Sequence, residues 1–159
     1  MRYALVISLA CATAAPAQTA EPEIVLELAT DLCLRYTADE TAILPAFEAA
    51  GYRVSEWVDA GTYVVSAPGM TGLVTPQPYA TQCALEAQGV PHATGVAVVQ
   101  RAAARLYGDK VGYGHPAGKA VDCPMFQVFA PGRLMIVEVF SAGNGGVCDD
   151  PGSTGILVQ

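Results

Sequence analysis

YATQCALEAQGVPHATGVAVVQRAAARLYG, residues 79–108, reads as a strand, a tight turn and an amphipathic helix closed by glycine. Tyr79, Thr81, Cys83, Leu85 and Ala87 alternate with Gln82, Ala84, Glu86 and Gln88. One face is mainly apolar and the other partly polar, the pattern of a sheet covered on one side. Gly89-Val90-Pro91 turns the chain, and Thr94 is the expected helix N-cap. Beyond it Gly95, Val98, Ala102 and Leu106 make an apolar stripe, widened by Val99 and Ala103 and bordered by Arg101 and Arg105. Gly108 is the stop.

Upstream, residues 23–36 have helical periodicity. Val25, Leu28, Ala29, Leu32, Cys33 and Tyr36 share the apolar side, while Glu23, Glu27, Thr30 and Asp31 form the polar side, joined there by Leu34. The carboxylates of the first turns suit the positive end of the helix dipole. Thr37-Ala38-Asp39-Glu40 has capping-box spacing, and Pro45 to Ala50 predicts a short helix stopped by Gly51. Residues 52–58 and 62–66 predict a hairpin about Ala60-Gly61, with neither face of the first strand cleanly apolar. The Pro- and Gly-rich stretch 67–78 is expected to be loop.

Downstream, residues 109–119 read as a glycine-rich loop. Residues 120–129 and 134–140 predict two strands about Pro131-Gly132. The second carries apolar residues on both faces and is therefore expected to be central. Residues 156–158 predict a last edge strand. The order helix, strands, helix, strands hints at a pseudo-duplicated unit. The expected fold is one α+β domain over residues 18–159: a mainly antiparallel sheet, an N-terminal helix and a second amphipathic helix on one face, and two disulfides.

Residues 1–17 have the layout of a secretory signal peptide. Arg2 supplies the positive start, residues 3–14 the apolar run, and Ala15-Pro16-Ala17 a small-residue cleavage site. Cys11, after Ser8-Leu9-Ala10, resembles a bacterial lipobox with the leucine one place late, which raises a lipid anchor as an alternative. No apolar segment is long enough to span a bilayer as a helix. The composition, 52% hydrophobic and 14% charged, excludes intrinsic disorder. Loss of Arg2 with the leader takes the formal charge from −7 to −8. Such a balance disfavours nucleic acid and anionic lipid, and favours basic partners.

Cys33, Cys83, Cys123 and Cys148 follow the leader. An even count in an exported chain predicts two disulfides. The pairing expected is Cys33 with Cys83, pinning the N-terminal helix to the sheet, and Cys123 with Cys148, closing a local excursion. Four cysteines allow three pairings, and spacing does not choose between them.

Catalytic and cofactor signatures are absent from the sequence. There is no G-x-S-x-G elbow, no phosphate-binding glycine loop, no C-x-x-C or H-E-x-x-H, and only His92 and His115 to serve as imidazoles. Asp149-Asp150 lacks the alternating ligands of a calcium loop. No catalytic residue, metal or cofactor is therefore assigned. A hydrolase or thiol enzyme using Cys83 and His92 stands as the alternative, since a strand end and a turn separate them. Binding is the favoured class. Lys110, Tyr113, His115 and Lys119 lie on a glycine-rich frame suited to recognition, and Arg101, Arg105 and Lys110 are a candidate basic edge for a small anion. The expected function is a small exported protein, periplasmic or secreted in a bacterial envelope. It would bind, and in one version inhibit, a basic protein partner without catalysis of its own.

Overall fold

The computed structural model describes residues 21–58, 61–78, 81–114, 123–141, 148 and 152–159. Helix α1 (Pro22–Tyr36) and the short α2 (Ile43–Ala49) lead into a four-strand meander: β1 (Arg53–Glu56), β2 (Tyr63–Ala67), β3 (Met70–Thr75) and β4 (Gln82–Gln88). Helix α3 (His92–Tyr107) then leads into a second meander: β5 (Val111–Gly114), β6 (Met125–Ala130), β7 (Arg133–Phe140) and β8 (Ser153–Val158). All eight strands form one antiparallel sheet in the order β1-β2-β3-β4-β8-β7-β6-β5. Helix followed by four-strand meander thus occurs twice, and the two meanders join through their last strands. The α+β architecture and both disulfides, Cys33–Cys83 and Cys123–Cys148, are as expected from the sequence.

Alternation along the strands sorts side chains to two faces. Val65, Val74, Cys83, Leu85, Ile156, Val158, Val137 and Val128 point to the helix side and are fully buried. Both long helices lie on that side, α1 against β4 and α3 against β8, β7 and β6, and they pack on each other. Cys33 and Cys83 bolt α1 to β4 within this layer. Close approach of α3 is possible because residue 95 is glycine: any Cβ there would collide with the side chain of Thr154 on β8. Tyr52 donates its hydroxyl to the Val25 carbonyl and meets Phe47 edge to face, which seats α2 against α1. Burial raises the Tyr52 phenol to about 12, so it remains a donor.

Several expectations are corrected. Strand β3 occupies the stretch expected to be loop. Pro68-Gly69 is the two-residue turn between Ala67 and Met70, and Gly69 takes the φ of 78° that glycine tolerates. Met70, Gly72 and Val74 then face inward. Gly72 breaks the apolar pattern, but Leu85 occupies the space its side chain would have taken. Strand β5 similarly lies inside the expected loop, because backbone pairing with β6, not side-chain pattern, defines it. Strand β8 is no edge. It pairs with both β4 and β7, with Thr154, Ile156 and Val158 buried.

Helix ends also differ. Pro91, not Thr94, is the N-cap of α3, and Thr94 donates its amide to the Pro91 carbonyl at 2.9 Å. Thr37 ends α1 instead of starting α2, its hydroxyl directed to Met135 Sδ at 3.0 Å, while Asp39 accepts from the amides of Thr41 and Ala42. Pro45 sits inside the first turn of α2. In α1 the buried side is broader than periodicity predicts. Leu34, Thr30 and Asp31 are buried, whereas Leu28 is exposed. The reason is α3, which covers the acidic stripe that would otherwise face water.

Candidate binding site on the open face of the sheet

The sequence-predicted residues are dispersed. Arg101 reaches Glu23 at 2.8 Å and Glu27 at 2.7 Å, and Arg105 reaches Glu27 at 3.0 Å and Asp31 at 2.8 Å. Arg35 adds a second contact to Asp31 at 3.0 Å. The two guanidiniums that suggested an anion site therefore face three carboxylates of α1, and their charge is already met within the chain. Partial burial pushes the Glu27 carboxyl up, but hydrogen bonds and charge from Arg101 and Arg105 outweigh it and hold the group below its ordinary 4.5. Hydrogen bonds to Asp31, then Glu27, raise Arg105 in turn. These contacts are an interhelical clasp, with Tyr107 donating to the Leu34 carbonyl at 2.7 Å beside it.

Of the loop candidates, Lys110 is exposed at the turn before β5, and its carbonyl accepts from the Phe129 amide at 2.9 Å. Tyr113 lies on β5, exposed, with its ring edge to face on Phe126. That register directs Tyr113 to the helix side of the sheet. His115 and Lys119 fall outside the described residues, as do Cys11 and the leader. Cys83 has its sulfur in the buried disulfide, and His92 places Nε2 3.3 Å from the Val139 carbonyl. A thiolate nucleophile requires a free sulfur, which Cys83 does not have here. Among the described residues, no group of three or more His, Cys, Asp or Glu is arranged to hold a metal ion. None of their buried side-chain polar atoms lacks a partner. No described helix is long and apolar enough to cross a membrane.

The opposite face of the sheet is different in kind, because both long helices lie on the other side. One cross-strand row runs across it from edge to edge: Ser55, Val64, Leu73, Ala84, Leu157, Glu138, Met125 and Gly114, each paired with the next. A parallel row carries Arg53, Ser66, Thr71, Glu86, Gly155 and Phe140. The Phe140 ring lies over Gly155 in the space a Cβ would fill, a flat aromatic patch at the centre of the sheet. Leu134 pairs with Phe129 toward one end, and each is about half exposed, at 49% and 51%. At the other end Trp57 is 49% exposed and Leu73 40%.

Between Trp57 and Glu86 the face dips into a groove of about 220 Å³, lined by Val64, Leu73 and Ala84. Gly72, small like Ala84, and Thr71 complete its lining, while Trp57, just past β1, is held in register by its amide on the Thr62 carbonyl at 2.8 Å. Sequence reasoning overlooked this face. Its signals were present in the mixed faces of β1 and the two apolar faces of β7. For β7 the second apolar face suggests burial on both sides, yet one side meets no helix. Comparison with protein-family models, with curated proteins and with solved structures returns no match.

Proposed function

We propose that this is an exported binding protein without catalysis of its own, and that the open face of its sheet is the surface that docks a basic protein partner. The observation that carries the reading is the contrast of the two faces. One is packed by α1 and α3, with Ile24, Leu28 and Tyr113 exposed at its outer margins, while the other, which meets no described helix, leaves Trp57, Leu73, Phe129 and Leu134 of the sheet itself in contact with solvent. The last four form two exposed apolar clusters, one at each end of the face, and such clusters are a recurrent mark of interaction surfaces. Glu138 lies between Leu157 and Met125 and Glu86 between Thr71 and Gly155, Arg53 is confined to the edge strand, and the whole chain carries −7. That distribution favours a partner with an apolar centre and positive charge around it. Two disulfides in the described structure support an oxidising compartment. The leader-like first residues support export into the periplasm or beyond.

The test uses the purified protein and a panel of purified basic proteins, cationic hydrolases included, with calorimetric binding at low and high salt. At least one should bind with an affinity that falls as salt rises. A Phe129→Ser, Leu134→Ser variant should bind more weakly while keeping its circular dichroism. Failure of every panel member to bind, or binding indifferent to the face variant, removes the proposal.

A further inference from the structure

We infer that the groove between Trp57 and Glu86 receives a lysine or arginine side chain of the basic partner; the inference rests on the open face being the docking surface. Its lining is apolar toward one end and polar toward the other, where Thr71 pairs across the strands with Glu86 and Gly72 lies between the two ends. Val64, Leu73 and Ala84 supply an apolar floor across β2, β3 and β4, and Trp57 supplies an aromatic wall. Glu86 supplies a carboxylate two residues along β4 from Ala84, on the same face. Successive same-face residues of a strand are about 6.8 Å apart, so carboxylate and floor are within reach of one long side chain.

Three classes of occupant meet this lining differently. A purely apolar side chain would cover the floor but strip water from Glu86 without replacing its hydrogen bonds. An acidic one would meet a like charge. A lysine or arginine lays its methylene stem on Leu73 and Ala84, keeps its charged head at the carboxylate, and gains from the indole face where the cation passes it. The nearest cation on the same row, Arg53, stands three strands from Glu86, about 14 Å by strand spacing. It lies at the edge of the sheet, well away from Glu86.

Trp57 is the protein's single tryptophan, so its fluorescence reports on the groove alone. The experiment titrates the full protein with pentalysine and pentaarginine, and with Nε-acetylated pentalysine as the neutral control. Trp57 emission and calorimetric heat are followed in parallel. Both cationic peptides should bind and change the emission, and the acetylated peptide should bind about tenfold more weakly or not at all. Glu86→Gln should weaken pentalysine about three- to fivefold, the upper range of an exposed ion pair. Glu48→Gln, an exposed carboxylate on α2 and the helix side, should change it less than about twofold on the same scale. Equal effects of the two variants, heat without a change in Trp57 emission, or no binding of either cationic peptide would each overturn the groove assignment. A basic protein that still binds the Phe129 and Leu134 region would then leave the wider reading standing. Loss of binding by the whole basic panel would remove both.

Discussion

Leu73 on β3 and Leu85 on β4 lie on adjacent strands, one residue out of register, yet their surroundings are opposite. Leu85 points to the helices and is fully buried; Leu73 points away from them and is 40% exposed. The same residue type from the same sheet thus serves cohesion on one face and contact with solvent on the other. The helix face closes every polar account: carboxylates of α1 meet arginines of α3, Thr37 meets a thioether, and Thr154 donates to the Val90 carbonyl at 2.8 Å. The open face instead sets Glu138 between Leu157 and Met125, and Glu86 beside the groove with Thr71 and Gly155 as its neighbours. A sheet covered on one side must either make its second face polar or use it. Here the second face is mixed, with Ser55, Ser66, Thr71, Glu86 and Glu138 interleaved with Val64, Leu73, Leu157 and Phe140.

The sharpest way to break that comparison is to truncate both leucines. Leu85→Ala should cost about 2–5 kcal/mol in denaturant unfolding, since a buried cavity is left behind. A cost near that of a surface change would mean the helix layer is not tightly packed. Removing the bolt between layers with Cys33→Ala, Cys83→Ala should cost about 2–5 kcal/mol as well, read as a lower melting temperature. Gly95→Val, which forces a side chain into Thr154, should cost about 1–3 kcal/mol by pushing α3 off β8.

The clasp predicts a smaller, pH-dependent effect. The Glu27 carboxyl is held below its ordinary 4.5 in the fold, so its stabilising contribution is full above that value. It is lost as pH falls below 4.5 through the folded value. Unfolding followed from pH 6 to pH 3 should therefore show stability falling below about pH 4.5. Arg101→Ala, Arg105→Ala should flatten that fall. Because these side chains are partly exposed, each pair contributes at most about 1 kcal/mol, and added salt should reduce it. An unchanged pH profile in the double variant would show the clasp to be energetically silent. Smallest of all, Leu73→Ala should shift stability by no more than about 1 kcal/mol while weakening pentalysine binding, which separates a binding role from a folding one.

Local pattern was sufficient for much of this molecule. The stretch from Cys83 to Gly108 alternates with period two, turns at Gly89 and then repeats at helical spacing, and these are properties of backbone geometry that short-range sequence records. The pairing Cys33–Cys83 was one of three the sequence allowed; the inward cysteine on α1 made it a reasonable expectation, and the structure shows it. What short range could not record were matters settled between distant segments. Ile156 looked like part of an edge strand because nothing local says that β8 enters between β4 and β7. Arg101 and Arg105 looked like an anion site because their partners are on α1, more than seventy residues away. Apolar residues on both faces of residues 134–140 predicted an interior strand, and β7 is one, but they did not tell which of its faces the helices cover. Alternation tells which residues share a face, but only the placement of α1 and α3 on one side decides which face is packed by helices and which is not.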